Sequence, residues 1–382
     1  MTNTSNYYFS RKISITTNLS CNLHCVYCYE KVHSNKSFDL ENIKNKLHSY
    51  LNTPTSKGTV IDLHGGEPFL IFEKIRQLCD SLWKQTFKEN FIIHTTTNGT
   101  LVHGTIKNWL QKNRSKFHVK LSLDGCKKAH NLNRCDSFSQ IDCDFFAKNW
   151  PHEYIKVTVT PLSLPYLAES IAFLHKKFNK IQVNFAELID WNNPTLLSSY
   201  KTQLLKLSQF YLENPHYNRC SLFTLNYSKL LVNSPLHLEK LCANGGKIAF
   251  DIDGQETYPC QLVLPTVCGY LKASKFREIM KDTRKLCLIS SQCKKCLLHP
   301  LCDTCYGANF IARGAVFNRD LNLCSLQKLR IWAITKYDYN KIINQKCNPR
   351  TPKNRLNDII TMKGIKKILP VLSQLEEKFE NI

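Results

Sequence analysis

Between positions 9 and 190 the chain alternates two patterns. Short apolar, β-branched runs fall at 12–17, 59–63, 91–97, 117–123, 154–160 and 181–185. They show little polar–apolar alternation, which predicts strands covered on both faces. Between them apolar residues recur every three or four positions, the spacing of an amphipathic helix. Leu40, Ile43, Leu47 and Leu51 form one such stripe, with Asp39 placed to cap it. Ile75, Leu78, Cys79, Leu82 and Trp83 form a second, and Leu167, Ile171, Leu174 and Phe178 a third, just after Pro165. Six strand–helix repeats predict an α/β fold with a parallel sheet inside and helices outside. Such sheets present their ligand site at the carboxyl ends of the strands.

The pattern changes after 190. Residues 191–241 read as a helical connector, with a stripe of Leu204, Leu207 and Tyr211. Residues 242–326 have few long periodic segments and hold half of the 18 cysteines, which reads as a loop-rich unit held by metal. Residues 327–382 are basic and read as helical. No apolar run is long enough for a membrane span. The N-terminus lacks the basic-then-apolar layout of a secretory signal, so a cytoplasmic protein is expected. Disulfides are rare in that compartment, and 18 cysteines there point to metal or redox chemistry. The formal charge is +22, from 52 Lys and Arg against 30 Asp and Glu. Lysine is spread along the chain without a block, which favours solubility charge over a nucleic-acid surface.

Cys21, Cys25 and Cys28 follow the first strand in a C-x3-C-x2-C arrangement. Three thiolates within one loop hold a single centre, one ligand short of the usual four on a cubane cluster, which leaves an iron open. A structural zinc loop with His24 as fourth ligand is the alternative, although zinc sites favour paired C-x2-C knuckles. The loop resembles the signature of the radical S-adenosylmethionine (radical SAM) superfamily. His64-Gly65-Gly66-Glu67-Pro68, after the second strand, resembles that family's GGEP segment.

The resemblance implies a partial (β/α)6 radical SAM barrel over residues 1–190. It also implies a [4Fe–4S] cluster whose open iron chelates the amino and carboxylate groups of SAM, and reductive cleavage to a 5′-deoxyadenosyl radical. Tyr27 takes the place of the aromatic beside the adenine. Gly65 and Gly66 allow a close approach to the cofactor, and Glu67 offers an acceptor to the methionine ammonium. Ser122, in Leu121–Gly125, is implied as a partner of the SAM carboxylate or ribose. Arg134 resembles an arginine that pairs with the SAM carboxylate, with a solvated surface side chain as the alternative. Asp124 faces substrate or caps a turn.

The later cysteines run Cys242, Cys260, Cys293-x2-Cys296-x5-Cys302-x2-Cys305 and Cys324. Paired knuckles alone would suit a zinc ribbon. The whole pattern resembles the SPASM extension of radical SAM enzymes, which carries two auxiliary [4Fe–4S] clusters. By that resemblance Cys293, Cys296, Cys302 and Cys324 hold one, and Cys242, Cys260 and Cys305 the other. The second set has an open iron unless Cys268 closes it. Among the remaining cysteines, Cys79 fits a core position, and Cys126 lies near the expected barrel mouth.

The resemblance extends to anaerobic sulfatase maturases, which place a basic aspartate directly after the cysteine equivalent to Cys260. Here that residue is Gln261, which is no proton acceptor near neutral pH. The expectation is therefore a maturase of ribosomally made peptides that installs a side-chain cross-link, with a carbon–carbon cyclophane preferred. A thioether-forming maturase or a sulfatase-maturase-like protein oxidase is the alternative. An RNA-modifying enzyme and a non-catalytic iron–sulfur carrier are weaker ones. The expected partners are a precursor peptide and an electron donor such as flavodoxin or ferredoxin. With Cys21 so early, no separate leader-recognition domain is expected before the barrel.

Overall fold

The computed structural model describes residues 9–187, 189–232, 247–281, 290–302, 304–319, 321–344 and 352–380. Strands β1 (Arg11–Thr16), β2 (Thr59–His64), β3 (Phe91–Thr97) and β4 (Phe117–Leu121) pair in parallel, in the spatial order β4-β3-β2-β1. Strands β5 (Ile155–Val159) and β6 (Ile181–Phe185) form a second parallel pair. A bridge from Ser122 to Lys156 joins that pair to the end of β4. All six expected strands are present.

Helices follow the strands. α1 (Leu40–Leu51) buries Ile43, Leu47 and Leu51, and the Asp39 carboxylate caps it by accepting from the Asn42 N–H at 2.8 Å. α2 (Phe72–Trp83) buries Ile75, Leu78, Cys79 and Leu82, so Cys79 is a core residue. Three shorter helices follow that the sequence did not announce: α3 (Gly104–Asn113), α4 (Lys127–Asn133) and α5 (Cys143–Asn149). α6 (Leu167–His175) carries the third apolar stripe, and α7 (Pro194–Glu213) starts on an Asn193 cap. Of the later helices, Asn322–Asn344 packs on α7, and Pro352–Glu380 packs on Asn322–Asn344 and on the short helix Ser228–Leu231. Arg219 and Tyr227 both bond Asp338, at 2.7 and 3.1 Å, and tie the region after α7 to the first of these. No helix among the described residues is long and apolar enough to cross a membrane.

Two features differ from the sequence reading. The strands do alternate. Their odd-numbered residues, such as Ile13, Ile15, Ile61, Leu63 and Ile93, pack under the helices. The even-numbered ones form polar rows across the sheet, with Ser14, Asp62, His94 and His118 in register. The second face is covered by the concave lumen rather than by an apolar layer, so polar residues are tolerated where they pair with one another.

The second difference lies beyond the first six strands. β7 (Lys247–Phe250) docks in parallel on β1, and β8 (Thr257–Tyr258) adds antiparallel to β7. The cysteine-rich stretch thus extends the barrel sheet and carries Cys260 to its edge. Phe250 anchors this strand, with 1% exposure and an edge-on contact to Tyr50 at 6.1 Å. Phe250→Ala is expected to cost about 3–5 kcal/mol. Chemical denaturation measures this, and an unchanged midpoint would deny β7 its anchoring role.

Candidate functional site

The carboxyl ends of β1 and β2 are zipped together. Thr17 N–H donates to the His64 carbonyl at 2.6 Å, Gly66 N–H to Asn18 at 3.1 Å, and Glu67 N–H to Ser20 at 2.8 Å. The Asn18 amide closes the seam by donating to the Ser20 and Glu67 carbonyls, both at 3.0 Å. A Cβ on Gly66 would stand 2.1 Å from the Ser20 carbonyl oxygen. Only glycine allows this approach, and it fixes where the cysteine loop starts.

Glu67 lies within the seam, at 1% exposure. Its carboxylate accepts from Phe69 N–H (3.1 Å), the Thr97 hydroxyl (2.8 Å) and Asn98 N–H (2.8 Å). Burial raises its pKa, against those three donors. The side chain expected to meet an ammonium therefore already organises the ends of β2 and β3.

Cys21, Cys25 and Cys28 sit on the loop that leaves this seam, the first two half-buried and the third exposed. Cys21 Sγ accepts from Leu23 N–H at 3.4 Å, and Cys25 Sγ from Arg134 at 3.8 Å. Burial raises the Cys25 thiol to about 11, with Arg134 opposing it. Among the described residues, no three cysteine or histidine ligand atoms here lie within 4.8 Å of one another. A single tetrahedral zinc with bonds near 2.3 Å needs sulfurs about 4 Å apart. The loop is too open for one zinc ion, and its all-thiol donor set suits a larger iron–sulfur centre.

Arg134 is not a surface residue; it is 7% exposed. Its Nε donates to Asp124 at 2.9 Å, and its guanidinium lies 5.2 Å from the Tyr27 ring centre. The Tyr27 hydroxyl donates to the same Asp124 carboxylate at 2.8 Å, and Asn133 and Thr158 N–H also bond it. Asp124 is thus a buried junction between β4, α4, β5 and the cysteine loop. Ser122 lies at the mouth, where its N–H donates to the Thr97 carbonyl at 2.9 Å. Cys126 is buried, with its N–H on Ser170.

In the second cysteine region, Cys242 lies outside the described residues. Leu262 and Val263, just after Cys260, pack on Gly307, two residues after Cys305. Cys260 and Cys268 flank one small core of Val263, Phe276, Tyr306, Phe310 and Val316. Cys305 caps the helix Tyr306–Arg313. Cys293 and Cys296 are bridged by a backbone bond of 3.2 Å, and Cys324 opens the helix Asn322–Asn344. Arg319, which sequence reasoning missed, donates to Cys302 Sγ at 3.2 Å and reaches His299 at 3.0 Å.

Beneath the seam, the lumen holds a charged cluster that the sequence reading also missed. Asp62 Oδ2 pairs with Lys12 Nζ at 2.7 Å and accepts from Gln261 Nε2 at 3.4 Å. The other end of the Gln261 amide accepts from Lys247 Nζ at 3.0 Å. Lys156 Nζ donates to Thr96 at 3.1 Å, and burial pulls its pKa down to about 8. Lys12, with Lys156 and His64, holds Asp62 well below the usual carboxylate range despite its burial. The signal was present as polar residues at every second strand position.

Comparison with known proteins gives three kinds of likeness. The sequence profile of the family described as "4Fe-4S single cluster domain" matches residues 15–136. The cysteine-type anaerobic sulfatase-maturating enzyme of Clostridium perfringens (strain 13 / Type A) is 26% identical over 325 residues, 74% of this chain and 84% of that protein. The solved structure of native anSMEcpe with bound AdoMet superposes with a TM-score of 0.63 at 21% identity, covering 87% of this chain and 98% of that one. Streptococcus suis SuiB bound to its precursor peptide SuiA gives a TM-score of 0.55 at 16% identity, covering 82% and 76%. The chain is thus similar in sequence to cysteine-type anaerobic sulfatase-maturating enzymes and shares the fold of anSMEcpe and SuiB.

Glu67→Gln puts an amide NH2 against a buried N–H or hydroxyl donor. A loss of about 1–3 kcal/mol in unfolding free energy is expected for the metal-free protein. An unchanged denaturation midpoint would remove Glu67 from its structural role in the seam.

Proposed function

We propose that this homologue of the sulfatase-maturating enzymes installs an intramolecular cross-link between side chains of a ribosomally made precursor peptide. In this reading the chain is a radical SAM enzyme of the sulfatase-maturase and SPASM type that acts on peptides. When bound, SAM and the [4Fe–4S] clusters supply a hydrogen-abstracting radical and a sink for a second electron. In this reading Cys21, Cys25 and Cys28 hold the cluster that meets SAM. Tyr27, Gly65, Gly66, Glu67, Ser122 and Arg134 surround the cofactor, with Asp124 fixing Tyr27 and Arg134. Cys293, Cys296, Cys302 and Cys324 hold one auxiliary cluster, and Cys242, Cys260 and Cys305 the other. A flavodoxin or ferredoxin supplies the reducing electron.

One observation carries the cross-linking reading. Gln261 occupies the place where formylglycine chemistry would use an aspartate base, and it is held between Lys247 and Asp62. Asp62 is no substitute, because its pairing with Lys12 keeps it ionised and weakly basic. Homology at 26% identity to cysteine-type sulfatase-maturating enzymes favours a second reading, oxidation of a peptide cysteine to an aldehyde.

Co-expression with a small peptide encoded beside the gene separates the two. The expected product has lost two hydrogens, retains iodoacetamide-reactive cysteine thiols, and fragments as a carbon–carbon bridged pair. A consumed thiol with a sulfur bridge would replace the cyclophane with a thioether. An aldehyde at a cysteine position would overturn cross-linking. A further expectation concerns metal content. Replacing Cys21, Cys25 and Cys28 with Ala should remove about four of roughly twelve irons per chain and abolish 5′-deoxyadenosine formation. Retained cleavage of SAM would contradict the ligand assignment.

A further inference from the structure

The lumen beneath the seam carries more positive than negative side chains. Lys12, Lys156 and Lys247 bear electrostatically on one another and on a single carboxylate, Asp62. Three ammonium groups against one carboxylate leave two positive charges in excess. Lower in the lumen, Lys120 is balanced by Glu153 at 4.0 Å, which also pairs with His118 at 2.8 Å. His94 stacks on His118, and burial lowers its pKa to about 3, so it adds no charge. Lys120 also bears on Lys156, so the positive excess is centred on Lys156, Lys12 and Lys247. Lys12 keeps 40% of its side chain exposed and Lys156 and Lys247 are half-buried, so these charges are accessible from the lumen, and among the described residues only Lys12 of the three has a carboxylate partner.

Unused bonding capacity lies at the same level. Both ring nitrogens of His64, 8% exposed, have no hydrogen-bond partner among the described residues. The hydroxyl of Thr16, 1% exposed, has none either. These two residues are direct cross-strand neighbours at the carboxyl ends of β1 and β2, next to the seam. They share the lumen face with Lys12 and Asp62, by the alternation of the strands.

We propose that this chamber is a subsite for a carboxylate of the peptide substrate, an Asp or Glu side chain beside the reacting position. Lys156 and Lys247 carry the charge recognition, Lys12 is shared with Asp62, and Thr16 and His64 complete the hydrogen bonds. Gln261 is part of the device. An aspartate there would pair with Lys247, remove one of the two excess charges and repel Asp62. Glutamine keeps the chamber cationic. The proposal rests on the peptide-modifying reading and names the class of peptide.

The test is selection from a pool of blocked hexapeptides whose central residue is varied. The full-length protein, loaded with iron and saturated with SAM, is incubated with the pool at about 1 M salt. There the screening length falls to about 3 Å, and the surface charge of +22 is muted. Bound peptides are separated by gel filtration and counted by mass spectrometry. Asp- or Glu-centred peptides should be enriched at least about tenfold over their Asn or Gln counterparts, a difference of about 1.4 kcal/mol. Enrichment should fall below about twofold in Lys156→Met and in Gln261→Asp, with iron content unchanged.

Enrichment of other residues without preference for acids would overturn the subsite and leave the peptide reading intact. No enrichment of any peptide would overturn both. Acid preference that survives in both variants would place the site elsewhere and overturn this one. A large loss of SAM affinity in Lys156→Met would assign the chamber to the SAM carboxylate instead.

Discussion

The site depends on one close approach between two backbones. The seam between Asn18–Ser20 and Gly66–Glu67 brings the loops after β1 and β2 nearer than any side chain at Gly66 would allow. The cysteine loop departs from this seam, so its origin is fixed by backbone hydrogen bonds rather than by side-chain packing. Glu67 secures it from below by joining the ends of β2 and β3. Asp124 secures the far side by holding Tyr27 and Arg134 against the loop. Three thiols presented between two such clamps are pre-organised before any metal arrives, which reduces the ordering cost of cluster binding.

The second constraint is the docking of β7 on β1. It turns the cysteine-rich region from an appendage into part of the barrel wall. Cys260 and Gln261 then follow directly from β8 and sit at the rim of the lumen, within reach of β2 through Asp62. The Gln261 amide, one residue after Cys260, reaches Asp62 of β2 at 3.4 Å, and β2 ends in the seam from which the first cysteine loop leaves.

Much of this was legible in the sequence, for physical reasons. The strands and the long helices announce themselves through apolar spacing, and Asp39 caps α1 as its position suggested. The C-x3-C-x2-C spacing pointed to a metal centre because three thiols within eight residues of one loop suit a single centre, and the resemblance to the radical SAM signature added the iron–sulfur reading. The lumen was not legible, because β-branched residues such as Ile13, Ile15 and Ile61 masked the alternation with Lys12, Ser14 and Asp62. Short helices such as α4 lack the length to show a period. The burial of Arg134 was hidden because its partner, Asp124, is ten positions away and comes to it only through a helix and a turn. β7 was hidden because four residues carry too little pattern to predict a strand or its neighbour.

The central claim is that SAM binds the centre carried by Cys21, Cys25 and Cys28 through its amino and carboxylate groups. Electron paramagnetic and electron–nuclear double resonance of the reduced protein with SAM labelled with nitrogen-15 in the amino group tests it most directly. The account predicts a nitrogen hyperfine coupling in the native protein that disappears when the three cysteines are replaced with alanine. Absence of that coupling in fully iron-loaded native protein, or its persistence in the variant, would contradict the account.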